Sequence, residues 1–148
     1  ALKDIRVDTY EYVGYMRCID SYQHYYDYSF ELLNYRIRRQ LFLHNWPIYT
    51  VTHDTPPAKY EATADVKNAF IANGSLISGM IKNSIISRNV KIEEGAVVEN
   101  SIIFTDSIVR RNKVISHAII DKKAEVAVAA ELAGTPEDIL YVRKGDRV

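Results

Sequence analysis

IKNSIISRNVKIEEGAVVENSIIFTDSIVRRNKVISHAIIDKKAEV, residues 81–126, contains three similar blocks: Ser84-Ile85-Ile86, Ser101-Ile102-Ile103 and Ala118-Ile119-Ile120. Successive blocks are 17 residues apart (101 − 84 and 118 − 101). Aliphatic residues step through the stretch by six, six and five, at Ile81, Ile86, Ile92, Val98, Ile103, Val109, Ile115, Ile120 and Val126. No position on that track is polar. A second track, two residues ahead of the first, holds small or β-branched residues at Ser84, Val90, Ala96, Ser101, Ser107, Ala118 and Ala124, with Lys113 as its departure. This period is neither helical nor simply alternating; it is a hexapeptide repeat.

A short fixed period means stacked coils, and hexapeptides mark a parallel β-helix in which three short strands and three corners make one triangular turn. The aliphatic track is expected to fill the prism, and the small track to sit where the chain bends under the next coil. The repeat therefore predicts a packed rod and no internal cavity. Ile71-Ala72-Asn73-Gly74-Ser75-Leu76 fits one more hexapeptide, with Ile77 following. The coil is expected to begin near Lys67. At the other end Gly134-Thr135-Pro136 is a turn signal, and Ile139 to Val142 offers a last strand to close the rod before the charged end, Arg143 to Val148.

The chain of 148 residues is long enough for one domain, or for a small domain with part of another. Its 19 basic and 19 acidic residues balance, which removes the electrostatic argument for nucleic acid or an anionic membrane as partner. One cysteine, Cys18, excludes an internal disulfide and favours a reducing compartment. Neither a membrane span nor a signal peptide is visible, so a soluble, cytoplasmic protein is expected. Ten of the 11 tyrosines fall in the first sixty residues, a shift in composition that separates two parts.

In the first part Ile5, Val7 and Thr9 alternate with charged residues as on a half-buried strand. Tyr22, Tyr25, Tyr26, Phe30 and Leu33 then share one face of a helix, with Asp20 or Ser21 available as N-cap. Residues 35–42 suit either a second short helix or a strand. Asn45 to Thr50 is an extended connector. Thr55-Pro56-Pro57-Ala58-Lys59 is a rigid one, because each proline fixes its own φ and restrains its predecessor. The expected division is 1–44, strand plus helix; 45–66, connector; and 67–148, β-helix with a C-terminal cap.

Gly14-Tyr15-Met16-Arg17, a helix with Tyr25-Tyr26, Asn45-Trp46-Pro47-Ile48-Tyr49-Thr50 and Pro56-Pro57-Ala58-Lys59-Tyr60 precede the coil in that order. Together they resemble the C-terminal part of bacterial glucose-1-phosphate adenylyltransferase (ADP-glucose pyrophosphorylase). The resemblance implies a mainly β fold, a left-handed parallel β-helix preceded by a strand-helix remnant of an α/β nucleotidyltransferase domain. It also implies a role in assembly and allosteric response within an oligomer that makes ADP-glucose for glycogen. Of six glycines none forms a phosphate-cradling G-x-G-x-x-G, so ATP and Mg2+ are expected of a catalytic partner and no cofactor of this stretch. Where active members resemble Gly-Tyr-Trp-Arg-Asp-Val-Gly-Thr, this chain reads Gly14-Tyr15-Met16-Arg17-Cys18-Ile19-Asp20-Ser21. Cys18 thus replaces the family's metal-binding Asp, and a thiol is a poor ligand for a hard cation. That departure resembles the non-catalytic, regulatory GlgD-type subunits, which pair with a catalytic adenylyltransferase subunit and with themselves.

Further residues carry competing readings. Cys18 reads as a buried structural cysteine ahead of a nucleophile. His117 stands where hexapeptide acyltransferases keep a catalytic histidine, yet it reads as a surface corner residue. Arg36, Arg38 and Arg39 form one basic cluster; Arg110, Arg111, Lys113, Lys122 and Lys123 form another. The latter, with His117, are candidate effector or interface positions, since guanidinium and ammonium groups suit a phosphorylated effector. A solvated solenoid face is the plainer reading. The tyrosine face of the helix is expected to pack against the domain that precedes it. The competing function is a hexapeptide-repeat acyltransferase that binds acyl-CoA between the coils of a trimer.

Overall fold

The computed structural model describes residues 6–52 and 54–148. Among these residues two helices, α1 (Tyr22–Glu31) and α2 (Tyr35–Leu41), precede thirteen short strands. The strands stack in parallel as a three-sided β-helix. On the first face lie β1 (Lys59–Tyr60), β3 (Leu76–Ile77), β5 (Lys91–Ile92), β8 (Ile108–Val109) and β11 (Glu125–Val126), in that order. The second face takes the first halves of β2 (Asp65–Ile71) and β4 (Met80–Ile86), then β6 (Val97–Glu99), β9 (Val114–Ser116) and β12 (Glu131–Ala133). The third takes their second halves, then β7 (Ile102–Ile103), β10 (Ala118–Ile120) and β13 (Leu140–Val142). Every face therefore has five rungs.

The repeat explains this register. Ile81, Ile86, Ile92, Val98, Ile103, Val109, Ile115, Ile120 and Val126 are all 0 or 1% exposed and join one continuous core. The small track is buried too, and its serines close the corners with hydrogen bonds. Ser84 Oγ accepts from the Ser101 amide, and Ser101 Oγ accepts from the Ala118 amide, each 17 residues on. A larger side chain there would meet the rung above, and an apolar one would leave a buried amide without its acceptor. Lys113 breaks the small track at a corner where its Nζ can leave the rod, donating to the Val128 carbonyl at 3.3 Å.

Corners bend through left-handed backbone. Asn68, Asn83, Asn100 and His117 have φ between 44° and 48° and fall one above another between the second and third faces. Asparagine tolerates that region, and its amides form a ladder, Asn68 to Asn83 at 2.9 Å and Asn83 to Asn100 at 2.6 Å. His117 follows Asn100 in this column, so it is a corner residue as expected.

The rod extends further at its start than the repeat suggests. Lys59–Tyr60 already pairs with Leu76–Ile77, ahead of Lys67, because the first rung needs core residues on one side only and so carries a weaker pattern. At the end, β13 closes the third face as expected, while the Val148 amide and carbonyl bond to Glu125 and to Ala127 and Val128 across the first.

The N-terminal part departs more. Ser21 caps α1, its Oγ accepting from the His24 amide at 3.1 Å. Residues 35–41 are helical, with the Asn34 side chain accepting from the Arg36 amide at 2.9 Å. The alternation at Val7 and Thr9 produces no strand: among the described residues both are exposed and neither pairs with a strand, and Ile5 lies outside the described residues. Replacing Ile103 by Ala should cost about 2–5 kcal/mol, the usual penalty for a cavity in a packed core, read as a lower urea midpoint with an unchanged slope.

Candidate functional site: the outer faces of the solenoid

With the prism filled, the surfaces left for function are the outward sides of its three faces and their corners. The first face carries a ladder of charge. Lys91 Nζ lies 3.2 Å from Glu93; Arg110 reaches Glu93 at 3.0 Å and Glu125 at 2.6 Å; Arg147 meets Glu125 at 3.5 Å. Arg111 pairs with Glu94 at 3.5 Å on the adjoining corner. Partial burial pushes the Glu93 carboxyl up, but Lys91 and Arg110 outweigh it and hold the group below the usual carboxylate range. Hydrogen bonds to Glu125 and Glu93 raise the Arg110 guanidinium further above its ordinary value. All but the Lys91 pair link successive rungs, yet surface ion pairs of this kind contribute little stability.

The six candidate effector or interface positions do not converge. Arg110, Arg111 and Lys113 stand at the corner between the first and second faces, His117 between the second and third, and Lys122 and Lys123 between the third and first. The second face presents Met80, Val97 and Val114 outward in one file, with Met80 42% and Val114 37% exposed. Beside them Lys82 and Glu99 approach to 3.9 Å.

The third face is covered. In each repeated block only the second isoleucine points inward; the first of each, Ile85, Ile102 and Ile119, forms an outward file on which α1 lies. Tyr26 is 7% exposed and donates from Oη to the Asn100 carbonyl at 2.6 Å. Tyr25 faces Phe104 at 5.9 Å between ring centres, and Tyr22 stacks on Tyr141 at 4.5 Å. Near the first rung, the Arg38 guanidinium sits over the Phe70 ring at 4.9 Å. The tyrosine helix therefore packs on the solenoid itself, a partner that the sequence expectation did not include. The doubled isoleucines are the signal: an inward track needs one aliphatic per block, and the second requires another cover.

Gly14 to Arg17 folds back on α1. Tyr15 Oη donates to Glu31 at 2.7 Å, and Arg17 Nε to the same carboxylate at 3.1 Å, with its guanidinium over the Tyr15 and Tyr28 rings. The Tyr15 hydrogen bond, reinforced by Arg17, pulls the Glu31 carboxyl below its usual range. Cys18 is exposed and free, contrary to the buried placement expected; residues 16–20 form neither helix nor strand and are exposed throughout. Asp20 Oδ1 lies 2.6 Å from His24 Nδ1. Of the other basic cluster, Arg38 and Arg39 lie against the Tyr35 ring and Arg36 is exposed. Among the described residues no three His, Cys, Asp or Glu side chains stand together as a metal site, and no helix is long and apolar enough to cross a membrane.

Residues 56–138 match the family model described as GlmU-like, C-terminal hexapeptide. The chain belongs to this family. It is similar to the glycogen biosynthesis protein GlgD of Bacillus subtilis, with 40% identity over 92% of this chain and 40% of that protein. A GlgD of Geobacillus stearothermophilus is 50% identical over 47% of the chain and 20% of its own length. A glucose-1-phosphate adenylyltransferase of Corynebacterium jeikeium is 35% identical over 89% of the chain and 34% of its length. The chain thus spans well under half the length of these relatives. A likeness covering 92% of the chain cannot be met by the solenoid alone, so this member of the hexapeptide family shares its helical segment with GlgD as well.

Burial pushes the Tyr26 phenol up to about 12, with Asp27 adding to the effect, and the hydrogen bond to Asp121 does the same for Tyr141. Raised values in the fold mean that stability is complete below the unfolded tyrosine value near 10 and is lost as pH climbs from about 10 through about 12. Tyr26→Phe should flatten that alkaline loss in urea unfolding while lowering stability near neutrality by about 1 kcal/mol through the lost Asn100 hydrogen bond.

Proposed function

We propose that this chain is the C-terminal assembly and allosteric portion of a glucose-1-phosphate adenylyltransferase regulatory subunit of the GlgD type, acting in glycogen (ADP-glucose) biosynthesis. The observation that carries the reading is the likeness to GlgD across the helical segment and the solenoid together. Hexapeptide coils alone are common to many activities, but a helix seated on the third face is not required by the coil. The physical character of the surfaces supports the same reading. The interior is filled with aliphatic side chains, charges on the first face are matched across rungs, and a file of half-exposed apolar residues remains on the second. Such a body contributes interfaces and positions other parts.

The subunit is itself non-catalytic. Cys18 stands where the family resemblance places a metal-binding carboxylate, and its thiol would hold Mg2+ poorly against oxygen-rich competitors. ATP and Mg2+ belong to a catalytic adenylyltransferase partner, with which this subunit forms a hetero-oligomer in the cytoplasm. A phosphorylated effector would be met by basic side chains at a corner; Arg111 with Lys113, and Lys122 with Lys123, are two such pairs on the rod. His117, a strained corner residue with no hydrogen bond from its ring to a described side chain, serves the turn and not acyl transfer.

The full-length protein should form ADP-glucose at no more than background rates when assayed alone. Co-expressed with the catalytic subunit it should co-purify and raise that subunit's activity or its response to effector severalfold. Synthesis by the isolated protein at catalytic-subunit rates would defeat the proposal, as would a trimer that binds acyl-CoA and ignores the catalytic subunit.

A further inference from the structure

The last turn of the solenoid is longer than the others, and the extra residues lie against α1. Steps between rungs are mostly 17 residues, but Ala118 pairs with Leu140, 22 positions on (140 − 118). The added length is a loop, residues 135–139, whose ends meet. The Gly134 amide donates to the Ser116 carbonyl at 2.9 Å, and the Leu140 amide donates to the next carbonyl, His117, at 3.0 Å. A Cβ on Gly134 would collide with both the His117 carbonyl and the Leu140 amide, so the chain leaves and re-enters the rung at nearly one point. Within the loop Thr135 and Asp138 hold a tight turn, the Asp138 amide donating to Thr135 Oγ1 at 3.0 Å. The rung needs none of this: joining Gly134 to Leu140 would restore the step of 17.

What the loop touches is α1. The Pro136 carbonyl accepts from Gln23 Nε2 at 2.8 Å, across 113 residues of sequence. Ile139 packs into the cluster formed by Tyr26, Ile102 and Ile119. Two residues on, Tyr141 supplies the ring on which Tyr22 stacks and is itself fixed by donating to Asp121 Oδ2 at 2.8 Å. The contacts of Tyr22 and Gln23 hold the first turn of the helix.

We infer that residues 135–141 form a strap that fixes the N-terminal end of α1 on the last rung of the solenoid. Because Tyr15 and Arg17 are tied to Glu31 at the other end of the same helix, the strap also sets the position of the segment before it. The helix, the segment that enters it and the last turn then move as one body, and a perturbation of the last turn is felt at residues 14–17.

Two variants of the full chain test this by hydrogen–deuterium exchange. One deletes residues 135–139; the other, Tyr22→Ala with Gln23→Ala, leaves the loop intact and removes its partners. Both should speed exchange of the α1 amides by about tenfold or more, since a local opening then costs less, while β7 and β10 keep their protection within about twofold. Helix exchange unchanged within about twofold in either variant overturns the strap. So does a deletion that strips protection from β7 and β10, because the loop would then be part of the rung stack.

Discussion

The whole structure depends on aliphatic side chains meeting their copies one rung away along the axis of a three-sided prism. Strands in the stack are about 4.8 Å apart, so each inward residue has neighbours of the same kind above and below and no freedom to shift by one position. A register slip would turn every buried isoleucine outward and every corner serine into the core. The short strands, two or three residues long in most rungs, have little pairing strength of their own. Their order comes from the core they share and from corner hydrogen bonds through Ser84, Ser101 and Ser107.

From that stack follows the division of labour among the faces. A prism packed solid cannot bind a ligand inside, so chemistry and recognition are pushed to the outside, where each face has taken a different character. Charge pairs dress the first, an apolar file marks the second, and the third is occupied by α1 through Tyr25, Tyr26 and the outward isoleucines. The occupied face is what distinguishes this rod from a bare solenoid. It joins the helical segment to the coil as one unit, and the likeness to GlgD and adenylyltransferases extends over both.

Much of this was legible beforehand, for a definite reason. A buried position in a stack of identical turns constrains residue type at every repeat, so the interior track from Ile81 to Val126 could be named residue by residue, and each member is buried. Candidate surface residues obey no such rule. Arg110, Arg111, Lys113, His117, Lys122 and Lys123 cluster in the sequence within one turn, but a turn of the prism spends its residues on three corners and so carries them apart. Cys18 was misplaced for a related reason: its burial depends on what packs over an irregular segment, and no periodicity reports that. The alternation around Val7 is likewise silent on its partner, since a strand pattern forms a strand only beside a free sheet edge.

By itself the amino-acid sequence determined the β-helix, its interior and the position of its corners, because a 17-residue repeat of aliphatic and small residues can bury itself in few other ways. It also carried the family resemblance through local motifs. Only the tertiary structure decided what covers the third face, that the tyrosine helix lies on the coil, and that an extra loop in the last turn reaches Gln23. Those contacts join residues more than a hundred positions apart with no repeat to relate them, and they follow from where the corners of the finished prism bring the chain.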